Sequence, residues 1–235
     1  MSDTIIDLKN ITKRFKVGDG EFTALKNINL SFNKGEFAGL IGPSGSGKTT
    51  LLNIIGSLDS PTEGEAMVMN KDIAKLSHGE SADLRNHHIG FIFQVYNLLP
   101  VYTVYENVEF ALLLQNHSKA ERHKMVMEAL DWVGLTGLAN KKPDRISGGE
   151  GQRVAIARAM VKRPEILIAD EPTANLDAEN AHIILKMMKK LNEELNTTFL
   201  FSTHDEKVMK YMERIVHLRD GTVEKDQIIV AEKYN

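Results

Sequence analysis

The octapeptide GPSGSGKT, Gly42 to Thr49, constrains this chain more than any other stretch. It fits G-x-x-x-x-G-K-[ST], with the apolar run EFAGLI before it and KTTLLNIIGSL after it. That order reads as strand, glycine-rich loop and helix, the setting a phosphate loop requires. Glycines let backbone N–H groups close around phosphate oxygens with no Cβ in the way. The helix N-terminus adds a partial positive charge. Lys48 would supply a full charge to the β and γ phosphates, and Thr49 a hydroxyl to Mg²⁺, whose shell is otherwise phosphate oxygens and waters. Gly42, Pro43, Ser44, Gly45, Ser46 and Gly47 make the cradle, and Thr50 continues it into the helix. A glycine/serine turn that binds nothing would not need the lysine, the hydroxyl and the spacing together.

The rest of the chain has to build an α/β sheet around this loop. IIDLKNITKRFK and TALKNINLSF alternate apolar and polar residues, as half-buried antiparallel strands do, with turn-rich VGDGE between them. EAMVMN and HIGFIFQV read as further strands. From NLLPVYTVYENVEFALLLQ to HKMVMEALDWVGL the apolar spacing becomes three and four, which predicts a helical subdomain inserted over about 95–163. EILIADEP and TTFLFSTHD are apolar runs ending in polar residues, like buried parallel strands. Between them, AENAHIILKMMKKLNEEL is an amphipathic helix with Ile184, Met188, Leu191 and Leu195 on one side. RIVHLRDGTVEK is a hairpin turning at Asp220-Gly221. The expectation is one domain over 1–235: an α/β phosphate-loop core with a mixed sheet, an antiparallel β subdomain and the helical insertion.

Composition narrows the function classes. A net charge of -3 gives no general pull toward nucleic acid, so no nucleic-acid partner is expected. With no cysteine, disulfides and zinc-thiolate sites are impossible. MSDTIIDLKNITKRF has no apolar segment with a cleavage site, so no signal peptide is expected. No apolar run reaches the roughly 18 residues that a membrane-crossing helix needs. A role at a membrane would require another protein as anchor.

Three further strand ends carry chemistry. ILIADEP puts Asp170 and Glu171 at the end of a buried strand, where adjacent carboxylates are costly without a nearby cation. Mg²⁺ shared with Thr49 would supply it, and Glu171 would then polarise a water against the γ-phosphate. Read alone, the pair would simply start the EPTANLD turn. His204 follows TTFLFST and is expected at the γ-phosphate, because open α/β sheets bind ligands at such strand ends. Gln94, ending GFIFQ, is a neutral group able to ligate Mg²⁺ or orient water; in isolation it would be a surface glutamine.

RISGGEGQRVAIARAM poses a different question. Ser147 and Glu150 form S-x-x-E, a capping box that accounts for the serine and the glutamate. It does not account for Gly148 and Gly149, since glycine costs about 1 kcal/mol against alanine in a helix. Glycines baring N–H groups at a helix start suit a closely approaching anion. The phosphate loop already holds the nucleotide, so a second cradle makes sense for a γ-phosphate held by another copy of the chain.

Taken in order, GPSGSGKTT, Phe93-Gln94, ISGGE, ILIADE, ANLD and the STHD histidine resemble the ATP-binding subunit of an ABC transporter, over essentially the whole chain. The resemblance implies two subunits sandwiching two ATP molecules, with Ser147 and Gly149 donating to the γ-phosphate across the interface. It suggests Phe15 as the aromatic that stacks on adenine, the alternative being a core strand residue, and Asp177 as an interface residue, although Asp177 is also a good helix cap. Two departures stand out: the usual signature begins with leucine and ends with glutamine, and here these are Ile146 and Glu150. A Glu150 carboxylate folded back as a cap would cost little; one released toward ATP would weaken dimerisation.

The function implied is an ATPase that powers transport from the cytoplasmic face of the inner membrane. Its partners would be a second copy and integral membrane permease subunits docking near Gln94–Val108, where Tyr96, Leu98, Leu99 and Tyr102 look exposed, the alternative being that they form the subdomain core. FQVYNLLPVYTVYENV and LNIIGSLDSPTEGE look most like the lipoprotein-releasing and macrolide- or peptide-exporting group. A soluble ABC ATPase acting on DNA or ribosomes would usually be a fused pair or carry a long coiled coil. A GTPase would carry N-K-x-D, and neither it nor a small kinase has use for ISGGE.

Overall fold

The computed structural model describes residues 3–229 and resolves into two compact units, 3–85 with 198–229 and 86–197. The first opens with β1 (Thr4–Val17) and β2 (Gly20–Asn33), two long antiparallel strands joined by a tight turn, with Val17 opposite Gly20. Their burial alternates, and Ile6, Leu8, Ile11, Leu25, Ile28 and Phe32 turn inward. β3 (Phe37–Ile41) is buried at every position and leads into the phosphate loop and α1 (Lys48–Ile55). β4 (Glu63–Val68) pairs antiparallel with β1, and the two-residue β5 (Lys71–Asp72) extends that sheet. α2 (His78–His88), where the sequence pattern predicts nothing regular, buries only Leu84.

The first strand of the second unit is β6 (Ile89–Ile92). α3 (Val104–Glu109), α4 (Lys119–Trp132) and α5 (Gly148–Met160) follow, each with a Ser or Thr N-cap and a glutamate at the third position closing a capping box. β7 (Ile166–Asp170) runs parallel to β6, with Ile92 beside Ala169. α6 (Ala178–Leu195) has Asp177 as its N-cap and buries Ile184, Leu185, Met188, Leu191 and Asn192. Leu195, expected on that buried stripe, is only half-buried, and Asn192 takes a core place by donating to the Thr197 carbonyl at 2.7 Å.

The chain then returns to the first unit with β8 (Thr198–Thr203), a four-residue helical turn α7 (Glu206–Met209), β9 (Arg214–Arg219) and β10 (Thr222–Ile228). β3 lies between β8 and β9, parallel to both, and β10 closes the edge against β9. Asp220 (φ 48°) and Gly221 (φ 79°) make the two-residue turn that the Asp-Gly pair predicts. Phe37, Phe199 and Phe201 fill this core, the Phe37 and Phe201 rings 4.6 Å apart. No helix among the described residues is long and apolar enough to cross a membrane.

Candidate nucleotide site

In the first unit, β3 and β8 end level, Ile41 beside Thr203. The phosphate loop therefore leaves one strand where His204 leaves its neighbour, and His204 is exposed there. The loop is shaped by contacts that exclude side chains. A Cβ on Gly42 would lie 2.0 Å from the Leu218 carbonyl oxygen, and one on Gly47 would lie 2.7 Å from Leu25 Cδ2 and 2.8 Å from the Ala24 oxygen. Gly47 also sits at φ 103°, a conformation that favours glycine. It is the residue at which α1 begins, and no side chain caps that helix. Lys48 Nζ arches back over the loop, donating to the carbonyls of Gly42 (2.7 Å) and Pro43 (3.0 Å). Ser46 Oγ is buried without a hydrogen-bond partner.

These features fit a polyphosphate. A helix start with no side-chain cap, a lysine resting on loop carbonyls that it can exchange for phosphate, and an orphan hydroxyl offer donors to an anion. Pro43, Ser44, Gly45 and Thr49 are exposed along this rim, and Thr50 is half-buried. Phe15, near the end of β1, is 39% exposed, and Lys13 Nζ stands 5.0 Å from its ring centroid. A strand residue exposed to this extent is not core, and an exposed aromatic ring suits stacking on a base.

The second unit carries the acidic and signature residues. β6 and β7 end side by side, which brings Gln94 and the Asp170–Glu171 pair to one edge. Asn175 Nδ2 donates to the Gln94 carbonyl at 2.8 Å, tying the strand end to the segment beyond Glu171. Glu171 has φ 49°, a left-handed backbone unusual for a non-glycine residue. Among the described residues no group of three His, Asp or Glu is arranged to hold a metal alone, so Mg²⁺ here would need nucleotide oxygens.

At α5 the capping box is formed. Ser147 Oγ accepts from the Glu150 N–H at 3.3 Å, and the Glu150 carboxylate accepts from the Ser147 N–H at 2.7 Å. That backbone hydrogen bond, with the Ser147 side chain and nearby Arg153 and Lys141, holds the Glu150 carboxyl below its ordinary range. The glycines have separate reasons. A Cβ on Gly149 would meet Asn180 Oδ1 at 2.6 Å, and one on Gly151 the Tyr96 ring at 3.1 Å, so packing alone excludes larger residues. Gly148 is exposed, its nearest neighbour would be Tyr96 Oη at 3.7 Å, and no packing requires it. Asp177 caps α6 through Asn180 N and also accepts from Asn180 Nδ2, each at 2.8 Å.

The stretch after Gln94 is more ordered than its apolar composition suggests. Of the residues expected to be exposed, Tyr102 is, while Tyr96, Leu98 and Leu99 are half-buried. Arg158 donates to the Tyr96 and Asn97 carbonyls. Fully buried Asn107 exchanges hydrogen bonds with Leu99 and donates to the Tyr102 and Thr103 carbonyls. Asn107 carries no motif; only its place on the apolar face of α3 hints at a buried role.

The family model for ABC transporters matches residues 25–174. An ABC transporter ATP-binding protein of Methanocaldococcus jannaschii, MJ0796, is 47% identical, with 95% of this chain and 97% of that protein covered. The lipoprotein-releasing system ATP-binding protein LolD of Pseudoalteromonas translucida is 42% identical over 94% of this chain and 95% of its own. A solved structure of MJ0796, described as a dimeric post-hydrolysis state bound to ADP and Pi, superposes with a TM-score of 0.87 at 46% identity, covering 95% of this chain and 98% of that one. The chain belongs to the ABC transporter family, as one of its ATP-binding cassettes. It is an ATPase that takes ATP with Mg²⁺ and powers a transporter. Homologous cassettes crystallise as dimers.

Proposed function

We propose that this cassette works as an ATP-sandwich homodimer and drives a membrane assembly of the lipoprotein-releasing or macrolide- and peptide-exporting type. The carrying observation is the pair of helix starts: α1 left uncapped behind Lys48, and α5 carrying an exposed Gly148 that no packing contact requires. The similarity to LolD supports the subfamily. The domain would act as a single ABC ATPase with its helical subdomain over about 95–163.

In this reading Gly42–Thr50 hold the phosphates and Phe15 stacks on adenine. Thr49, Asp170 and Gln94 would hold Mg²⁺, which would supply positive charge against the phosphates. Glu171 takes a proton from the water that attacks the γ-phosphorus, and ADP leaves. His204 hydrogen-bonds the γ-phosphate and Gln94 orients the water. Ser147 Oγ accepts from the Glu150 N–H, and on meeting the partner copy its proton would turn from the Glu150 carboxylate to that copy's γ-phosphate. The Gly148 and Gly149 N–H groups, which a first helical turn cannot satisfy internally, join it, with Glu150 capping the Ser147 N–H and Asp177 at the interface. Permease subunits dock near Gln94–Val108, where Val95 is 65%, Val101 69% and Tyr102 40% exposed, and hold the cassette at the cytoplasmic face of the inner membrane.

The test is Glu171→Gln in Mg-ATP. A stable dimer by light scattering, with hydrolysis reduced by about 100-fold or more, is expected; a monomer at saturating ATP refutes the sandwich. Co-purification with membrane subunits encoded beside it identifies the assembly.

A further inference from the structure

Gln152 lies in α5, completely buried, and the roles above do not use it. Its Nε2 donates to the Pro172 carbonyl at 2.5 Å, while its Oε1 is buried with no partner. Only the nitrogen can donate to a carbonyl, so this contact settles which way the amide points. A buried acceptor left unmet destabilises the fold, and a methionine would fill the same space without that cost. The amide therefore needs a reason beyond packing.

The reason lies one residue before its partner. Glu171 occupies the left-handed region at φ 49°, and it precedes a proline, which further disfavours compact backbone at that position. Such conformations persist only where the surroundings over-determine them. Here the Ala174 N–H closes the turn onto the Glu171 carbonyl at 3.2 Å, and Gln152 grips the next carbonyl from inside the protein. The same helix is wedged against this segment a second time, Gly149 against Asn180. Two braces thus join the start of α5 to the chain from Glu171 to Asn180.

We infer that Gln152 is a positioning residue for Glu171. It holds the strained Glu171–Pro172 turn and ties the carboxylate's position to that of the α5 N-terminus. A shift of the signature turn when it meets a phosphate is thereby passed to Glu171 through one buried amide. This rests on the reading of Glu171 as the residue that activates water.

The experiment is Gln152→Met in the full chain, assayed with Mg-ATP alone and in the Glu171→Gln background. We expect kcat to fall about 10- to 100-fold, as misplacement of a reacting group does, with KM within about threefold. Combined with Glu171→Gln, the substitution should remove little further activity, because both act on one step. A kcat within about threefold of the parent, or a loss that multiplies fully with that of Glu171→Gln, overturns the inference. Glu171→Gln retaining full hydrolysis would instead overturn the role of Glu171. If the Met variant does not fold, hydrogen exchange of the unaltered chain decides. The amides of Gly149–Gln152 and Ala174–Leu176 should gain protection together on adding Mg-ATP; independent openings refute the coupling.

Discussion

Two helix starts that read alike in the sequence, both glycine-rich and both with a hydroxyl residue nearby, are built in opposite ways. α1 begins at a left-handed glycine with no side-chain cap and no acidic residue in its first turn. α5 begins with a closed capping box and a glutamate in its first turn. The first leaves its helix start without a side-chain cap and reserves Lys48 for an anion. The second satisfies the Ser147 and Glu150 N–H groups from within and keeps the Glu150 charge engaged. A site that must bind nucleotide from the monomeric state gains from standing donors; one that meets phosphate only when a second copy arrives gains from staying stable alone.

The largest test of this contrast is Lys48→Ala. Removing the only full positive charge in the loop should weaken ATP binding by about 10- to 100-fold, the worth of a hydrogen bond to a charged group, as read by nucleotide titration. The fold should hold, since Lys48 bonds only to loop carbonyls. An unchanged affinity would erase the difference between the two helix starts.

Glycine substitutions at α5 come next. Gly149→Ala drives a Cβ into Asn180 and should lower the melting temperature by several degrees, for a destabilisation of about 1–3 kcal/mol. Gly148→Ala meets nothing closer than 3.7 Å and should leave thermal stability intact while reducing ATP-driven dimerisation. If it leaves dimerisation intact as well, Gly148 has no role in meeting an anion.

The smallest effect is acid sensitivity. Glu80, Glu106, Glu121 and Glu150 each accept backbone and side-chain hydrogen bonds from the capping Ser or Thr three residues earlier, and each carboxyl is held below its ordinary 4.5. A depressed folded value means stability that is complete above 4.5 and lost as the pH falls through the lower folded values. Circular dichroism should show fraying of α2 to α5 below about pH 4.5. α1 has no such glutamate, and its amide exchange should show no matching step.

Local patterns were legible because they are local. The alternation in β1 and β2, the Asp220-Gly221 turn, the Ser147–Glu150 box and the phosphate loop each depend on neighbours a few residues apart, and each formed as read. α2 was missed because its composition is polar and it buries one leucine, leaving no apolar period to detect. Tyr96, Leu98 and Leu99 looked exposed because nothing nearby in sequence announces Arg158, which holds that stretch from sixty residues away. Gly149 could not be told from Gly148 for the same reason, since Asn180 lies on another helix.

The sequence by itself determined the family, the ATPase chemistry and the residue types that carry it, because glycine spacing, a lysine and strand-end carboxylates are written in short runs. Only the tertiary structure decided which glycine is held by packing and which stands open, that Glu171 sits in a left-handed turn, and that a buried glutamine reaches its neighbour. Those depend on chain segments distant in sequence coming within a few ångströms, and no local pattern encodes such an approach.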